Sequence, residues 1–379
     1  MKILYISSPA YCDTDIPLIK SLIVAGNEVM YLISVGDRVR STLISLDEYH
    51  NDVGIYKCTE YSELGFISNY IGTENVYIIR RKKRKSFSEC AYVCSLLQQI
   101  VNDYKPDVVH QIDLPYLFML PFLIKNRKRY ILTVHDPIPH KGENSWKLNL
   151  SRMLVYPFVK KIILLNSKSR DLFISKYHQS AKKIFVSRLG FLEWMNAFAT
   201  SKKSDDYILF YGRITPYKGV EYLLQAMESV HASFPNIKLI IAGSGNYYFD
   251  ISKYRSLDYI KFINRFIELT ELSDLIINSR FVVCPYTEAT QSGVVASVLA
   301  LETPIIVTEV GALSDMVENN VTGLIIPPSN EIALVDSICR LLSNEQLTKS
   351  MRVAIGVRKT EGEYSWHTIA GLTEEIYKA

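Results

Sequence analysis

FVVCPYTEATQSGVVASVLALETP, residues Phe281–Pro304, reads as a strand, a turn and a buried helix in succession. Phe281, Val282, Val283 and Cys284 form a short apolar run ended by Pro285, and Thr290, Gln291, Ser292 and Gly293 supply a polar, flexible turn. The helix predicted over 292–301 buries Val295, Val298, Leu299 and Leu301, so the N–H groups of Ser292, Gly293 and Val294 point out of its first turn. Unsatisfied donors and a positive dipole end suit a phosphate, and Gly293 admits a close backbone approach. A turn capped by Ser292 that binds nothing accounts for the same letters. What else converges there decides between the two.

The rest of the second half repeats the alternation. Strands are predicted at Tyr207–Tyr211, Lys238–Ala242, Tyr259–Ile263, Pro304–Thr308 and Gly323–Ile326, and helices at Gly219–Phe234, Glu271–Asn278, Leu313–Glu318 and Glu331–Leu342. The first half alternates too, with strands at Lys2–Ser7, Glu28–Ile33, Tyr77–Arg80, Asp107–Gln111, Tyr130–His135, Ile162–Asn166 and Ile184–Leu189. Helices are predicted at Asp15–Ala25, Ser88–Asp103, Pro115–Lys125, Trp146–Lys160 and Lys168–Tyr177, and a last one at Trp366–Tyr377. Such alternation implies parallel sheets covered by helices on both faces. The fold class is therefore α/β, with two Rossmann-like doubly wound domains expected to face a central cleft. The predicted boundaries are 1–195, a polar linker at 196–206 (NAFATSKKSDD), 207–360, and a final segment 361–379. The first strand leads into SSPAYCDTD and not a GxGxxG turn, so the usual dinucleotide fingerprint is missing.

The 379 residues suffice for two ordinary domains. Six cysteines without a CxxC pair point to a reducing cytoplasm, and Met1-Lys2 leads straight into a strand with no signal-type segment. No apolar run is long enough to cross a bilayer. The net charge of +4 hides an asymmetry: 27 Lys and Arg stand against 18 Asp and Glu in residues 1–196, and 16 against 21 in 197–379. The basic runs Arg80–Lys85 and Lys125–Arg129, the second following the apolar segment Leu114–Ile124, fit either a solvated surface or the anionic inner face of a membrane. A nucleic-acid partner is not expected, nor is a metal.

Four groups in the second half follow strands, on the side where this fold places ligands. They are Gly212-Arg213 with Lys218-Gly219; Gly243-Ser244-Gly245; Asn264-Arg265; and the Thr290–Gly293 turn. Arg213 can grip phosphate oxygens as a fork and Lys218 adds a point charge. With the helix start at Ser292 they would hold a diphosphate without a metal.

These residues carry a resemblance. YGRITPYKG at Tyr211–Gly219, IIAGSG at Ile240–Gly245, CPYTEATQSGVVASVLALETPIIVT at Cys284–Thr308 and GALSDMVENNVTGLIIPP at Gly311–Pro328 resemble the group 1, or family 4, retaining glycosyltransferases of the GT-B fold. KPDVVH at Lys105–His110 and LTVHDPIPH at Leu132–His140 resemble them more weakly. The resemblance implies that the second domain holds a nucleotide-diphosphate sugar, that the first holds the acceptor, and that the last helix returns to the first domain. It implies that Arg213 and Lys218 bind the diphosphate together with amides of Ser292, Gly293 and Val294. Gly212, Gly243, Ser244, Gly245, Arg265, Glu288, Thr290 and Gln291 complete the expected donor side. His135, in TVHD, is implied to meet the transferred sugar; Asp13, Asp15, His110 and His140 are the acceptor-side candidates.

One departure stands out. The family shows two glutamates eight positions apart, but the residue eight after Glu288 is Ala296, and anchoring on Pro304 places the pair at Ala289 and Ser297. Ser297 is then the candidate for the ribose contact. The resemblance also implies retention at the anomeric carbon by same-face attack, with the donor phosphate accepting the proton and no cofactor beyond the nucleotide sugar. The expected function is transfer of a sugar to a sugar or lipid-linked acceptor in polysaccharide or glycoconjugate synthesis. The alternatives are a catalytically silent sugar-nucleotide-binding subunit, suggested by the missing glutamates, and a sugar-nucleotide epimerase of the same fold.

Overall fold

The computed structural model describes residues 1–36, 39–40, 43–46, 52–61, 64–81, 87–138, 146–200, 206–289 and 292–379. Thr290, Gln291, His140 and most of the basic run ending at Lys85 lie outside the described residues. The chain forms two compact units, Met1–Arg188 with Trp366–Ala379, and Leu189–Ser365.

The first unit is built on an eight-stranded sheet in the order 184–186, 161–164, 130–134, 108–112, 2–7, 28–35, 76–80, 54–57. Lys2–Ser7 is buried at every position after Lys2 and pairs in parallel with strands on both sides, which is why it is a nearly unbroken apolar run. Gly54–Lys57 is antiparallel to Val76–Arg80 at the edge, an element absent from the sequence reading. One apolar cluster joins Ile3, Tyr5, Ile16 and Ile19 with Ile376 and Tyr377 of the C-terminal helix. A second joins Leu4, Ile6, Leu97, Phe122, Leu132 and Tyr156 on the other face. The chain returns to this unit at Trp366, where the helix Trp366–Lys378 buries Ile369, Ala370, Thr373, Ile376 and Tyr377.

The second unit has six parallel strands in the order 260–263, 238–242, 207–211, 282–284, 305–308, 323–326. The order reverses between Tyr207–Tyr211 and Val282–Cys284, so the loops leaving these two strands flank the crevice where doubly wound sheets bind ligands. The helix Val220–Ser233 buries Val220, Leu223, Leu224, Ala226, Met227 and Val230, as its spacing predicts. Each large apolar side chain so buried contributes about 1.5–3 kcal/mol.

Three further differences from the sequence reading stand out. Residues 189–195 pack with the second unit, because Trp194 and Met195 are buried there and Leu192 N–H donates to the Ala296 carbonyl at 3.3 Å. The segment read as a helix over 313–318 is a single 3-10 turn at Ser314–Met316, and Glu345–Glu361 is a helix that was not anticipated.

Candidate functional site

The loop after Tyr207–Tyr211 is shaped by glycine. Gly212 and Gly243 take φ of 130° and 139°, where a side chain is strained. A Cβ on Gly243 would stand 2.0 Å from the Gly212 carbonyl oxygen, so the two loops approach backbone to backbone. Gly212 N–H donates to the Ala242 carbonyl at 3.0 Å and Ile214 N–H to the Ser244 carbonyl at 3.0 Å, which continues the pairing of the strands past their ends. Asn264 closes the third loop: its side chain accepts from Gly245 N–H at 3.1 Å and donates to the Gly245 carbonyl at 3.0 Å.

Lys218 ends a 3-10 turn, Pro216–Lys218, that is stopped by Gly219 at φ 64°. Thr287 N–H donates to the Tyr217 carbonyl at 2.8 Å, fastening this turn to the loop that leaves Val282–Cys284. At the same seam a Cβ on Gly219 would lie 2.1 Å from the Pro285 carbonyl oxygen. The seam sets Lys218 inside the crevice. Its side chain is 8% exposed, its ammonium lies 3.8 Å from the Tyr286 ring centre, and no described residue gives it a hydrogen-bond acceptor. Burial lowers its pKa from 10.5 to about 8; the Cys284 thiol opposes the shift and the Arg213 charge adds to it. Arg213 is exposed.

The helix Gly293–Ala300 starts beside them. A Cβ on Gly212 would have the Val294 side chain at 3.6 Å and the Lys218 Nζ at 3.9 Å, so the first turn of this helix and the ammonium flank one point. Ser292 is its N-cap by backbone conformation, yet its side chain makes no capping hydrogen bond. The hydroxyls of Ser292 and Tyr286 are both buried, and neither meets hydrogen-bond geometry with a described residue. Ser292 therefore gives the first-turn amides no side-chain acceptor, and open space lies where a Gly293 side chain would be. Two cations, one of them desolvated, and the start of a helix are the chemistry that suits a polyanion.

Other donor-side candidates are placed differently. Arg265 is exposed and held as a fork by Glu271, with both N···O distances at 2.7 Å. Ser297 is 4% exposed and donates to the Gly293 carbonyl at 2.6 Å, while sharing a short hydrogen bond with Tyr211. Its hydroxyl is occupied within the fold. Glu288 is half-buried in the loop, and Ser244 is exposed beside Gly243 and Gly245. Tyr286, which carries the ammonium on its face, was missed; the aromatic residue after Pro285 was the available signal.

In the first unit His135 follows the strand Tyr130–Val134, is 8% exposed and packs its ring on Tyr11, with centroids 4.3 Å apart. Tyr11 donates to Asp113 at 2.8 Å, bridging the loops after Lys2–Ser7 and Val108–Ile112. Burial lowers the pKa of His135 against the pull of Asp113 and Asp136, which favours the neutral imidazole. Two acceptor-side candidates lie in the interior. His110 is 1% exposed, with its ring nitrogens 2.6 Å from the Tyr377 hydroxyl and 2.8 Å from that of Thr133. Asp15 accepts from Tyr5 at 3.0 Å, Tyr31 at 3.2 Å and Ser7, and burial pushes its carboxyl up to about 8. Both serve the packing of the first sheet against its helices. Asp13 is half-buried in the first helical turn, and burial raises it to about 6.

Two doubly wound units, the second with the candidate site at the switch point of its sheet, have the architecture of the GT-B class of fold. Within that class the chain resembles the group 1 glycosyltransferases: residues 205–344 match the family model described as Glycosyl transferases group 1. An uncharacterized glycosyltransferase of Methanocaldococcus jannaschii is 30% identical over 174 residues, 45% of this chain and 44% of that one. The glycogen synthase of Mycobacterium tuberculosis is 23% identical over 293 residues, covering 73% and 70%. The chain spans about half the length of the first curated relatives it matches. Among solved structures, Anabaena HepE in complex with UDP superposes over all of both chains with a TM-score of 0.68 at 15% identity.

Proposed function

We propose that the protein is a retaining glycosyltransferase that moves a sugar from a nucleotide-diphosphate donor to a sugar or lipid-linked sugar acceptor, in polysaccharide or glycoconjugate synthesis. The observation that carries this is the convergence of Lys218 Nζ and Val294 on Gly212 at the switch point of the second sheet. As the bond from the anomeric carbon to the diphosphate breaks, negative charge grows on the leaving phosphate. Lys218, Arg213 and the amides of Gly293 and Val294 are preset to receive it, which is the most effective form of electrostatic catalysis. The bond to the acceptor oxygen forms on the same face, and the acceptor proton passes to the departing phosphate. We assign the acceptor side to the first unit, with His135 as its candidate group. Its imidazole, held neutral by burial and fixed by Tyr11, suits a hydrogen-bonding role.

The test is mass spectrometry of products after offering UDP-, GDP- and ADP-sugars with lipid-linked and soluble acceptors. A glycosylated acceptor with released nucleoside diphosphate is the expected result. A second reading, a sugar-nucleotide-binding subunit without turnover, draws on Ser297, which stands at a family glutamate position with its hydroxyl already occupied. It predicts donor binding and no product. Conversion of the donor without any acceptor would mark an epimerase.

A further inference from the structure

The segment that carries His135 is tied down by one buried charge. Val134 is the last residue of its strand to pair within the sheet, opposite Leu164. Pro137 has no N–H and keeps Asp136 out of the helical region, so the ladder ends there and no helix starts. The carbonyls of Asp136 and Pro137 meet Arg152, in the helix Trp146–Val155. Its Nη2 donates to the Asp136 carbonyl at 2.6 Å, and its Nη1 to the Pro137 carbonyl at 3.0 Å and the Tyr177 hydroxyl at 2.7 Å. Tyr177 is fixed in turn: its ring packs on Tyr156 and Phe173, with centroids 5.3 and 5.0 Å apart, within the apolar cluster of that face.

Packing alone does not call for this arrangement. Arg152 is 4% exposed, and its three hydrogen-bond partners among the described residues are uncharged oxygens. A buried cation loses hydration that neutral oxygens replace only in part, and an apolar side chain of similar length would pack at less cost. What a guanidinium adds is geometry: its planar fork holds two successive carbonyls and a hydroxyl in fixed directions, whereas an ammonium is a point charge with rotatable donors. The two carbonyls belong to the first and second residues after His135. The His135 ring itself packs on Tyr11, which is bonded to Asp113. Backbone and ring are thereby fixed by different elements.

We propose that Arg152 is a positioning residue for the transfer: its fork sets the peptide planes after His135, and through them the direction in which the imidazole meets the acceptor. The proposal rests on the assignment of His135 to the acceptor side made above. Arg152 acts through His135 and not by contact with the substrate. A solely structural role would lower stability and leave the rate of the folded enzyme unchanged. A positioning role lowers the rate of the folded enzyme, and needs His135 to do so.

The experiment compares Arg152→Lys, His135→Ala and the double variant in the full chain, each checked for a folded state by its urea midpoint. Turnover is read with the donor and acceptor of the product screen, UDP affinity by calorimetry, and the His135 imidazole by NMR, its signal being the one missing from His135→Ala. Arg152→Lys is expected to lower kcat by about tenfold to a hundredfold. Its dissociation constant for UDP should stay within about twofold of the wild type, because the donor crevice lies in the other unit. In the double variant the lysine should add nothing to the loss from His135→Ala. The imidazole signal should shift, and its titration midpoint should rise toward the ordinary 6.5 as the ring gains water beside Asp113 and Asp136. This readout needs no acceptor. Should Arg152→Lys fail to fold, Tyr177→Phe removes one partner of the guanidinium, keeps the ring, and is expected to move kcat and the imidazole signal in the same directions. Full turnover by folded Arg152→Lys, a loss that simply adds to that of His135→Ala, or an unmoved imidazole signal overturns the proposal. Undiminished turnover in His135→Ala overturns the assignment of His135 instead, and the positioning role with it.

Discussion

The Lys218 ammonium sits 3.8 Å from the centre of the Tyr286 ring, in a crevice where burial brings its pKa down to about 8. The ring face stabilises a cation that has lost most of its water, and does so without neutralising it. A carboxylate in that place would compete with a phosphate. The aromatic platform keeps the charge available, so the proposed donor binding is expected to be linked to protonation.

The pH dependence follows from the sign of the shift. Below about 8 Lys218 is charged and ready for a diphosphate; above it the free protein must first take up a proton. The dissociation constant for UDP should weaken by up to about tenfold per pH unit above 8. Calorimetry in two buffers of different ionisation enthalpy should show proton uptake near pH 8, absent in Lys218→Met. For stability the sense is different: the native lysine is the weaker base, so it disfavours the fold below about 8. That cost is relieved as pH rises toward 10.5.

Removing either cation tests the electrostatic account of catalysis. Lys218→Ala and Arg213→Ala should each lower turnover by about 10²–10³-fold. Arg265→Ala should change it less than about twofold, because its guanidinium is already paired with Glu271 at the surface. Steady-state rates with the donor that the product screen identifies would check all three.

The glycines divide into two kinds. Gly219→Ala forces a Cβ to 2.1 Å from the Pro285 carbonyl oxygen at a positive φ, so it should destabilise the second unit by several kcal/mol and lower the unfolding midpoint. Gly293→Ala meets nothing within 4 Å and should fold normally. Its methyl group instead occupies space at the helix start, so nucleotide affinity should fall while the midpoint in urea stays unchanged.

The buried Asp15 predicts a stability profile of the opposite slope. Its carboxyl is raised from 3.8 to about 8, so the stability due to its protonated form is complete below about 4 and is lost as pH rises through 8. Urea denaturation at pH 5 and pH 8 should show a smaller difference in Asp15→Asn than in the wild type. The part due to Asp13, raised to about 6, should remain.

Sequence reading recovered the parallel strands well because strands buried on both faces are continuous apolar runs. Lys2–Ser7, Tyr207–Tyr211, Lys238–Ala242 and Gly323–Ile326 match to the residue. Gly54–Lys57 escaped notice because it is a four-residue edge strand that opens on glycine and ends on lysine. Glu345–Glu361 escaped because it buries only Met351 and Ile355, too few to mark a period. At the site, Arg213, Lys218 and Gly293 were legible as charges and glycines after strands. The inward roles of His110 and Asp15 were not, since the first depends on Tyr377, 267 residues away, and the second on hydroxyls of a strand and its neighbour. Tyr286 under Lys218 is likewise a product of the seam at Gly219 and Pro285.

The most direct measurement is isothermal titration of UDP, GDP and ADP into the wild-type protein and into folded Lys218→Met at pH 7. The account predicts that at least one nucleoside diphosphate binds the wild type and that its affinity falls by about tenfold or more in the variant. Binding of equal strength to both proteins, or none to either, would contradict the assignment of this crevice to the donor diphosphate.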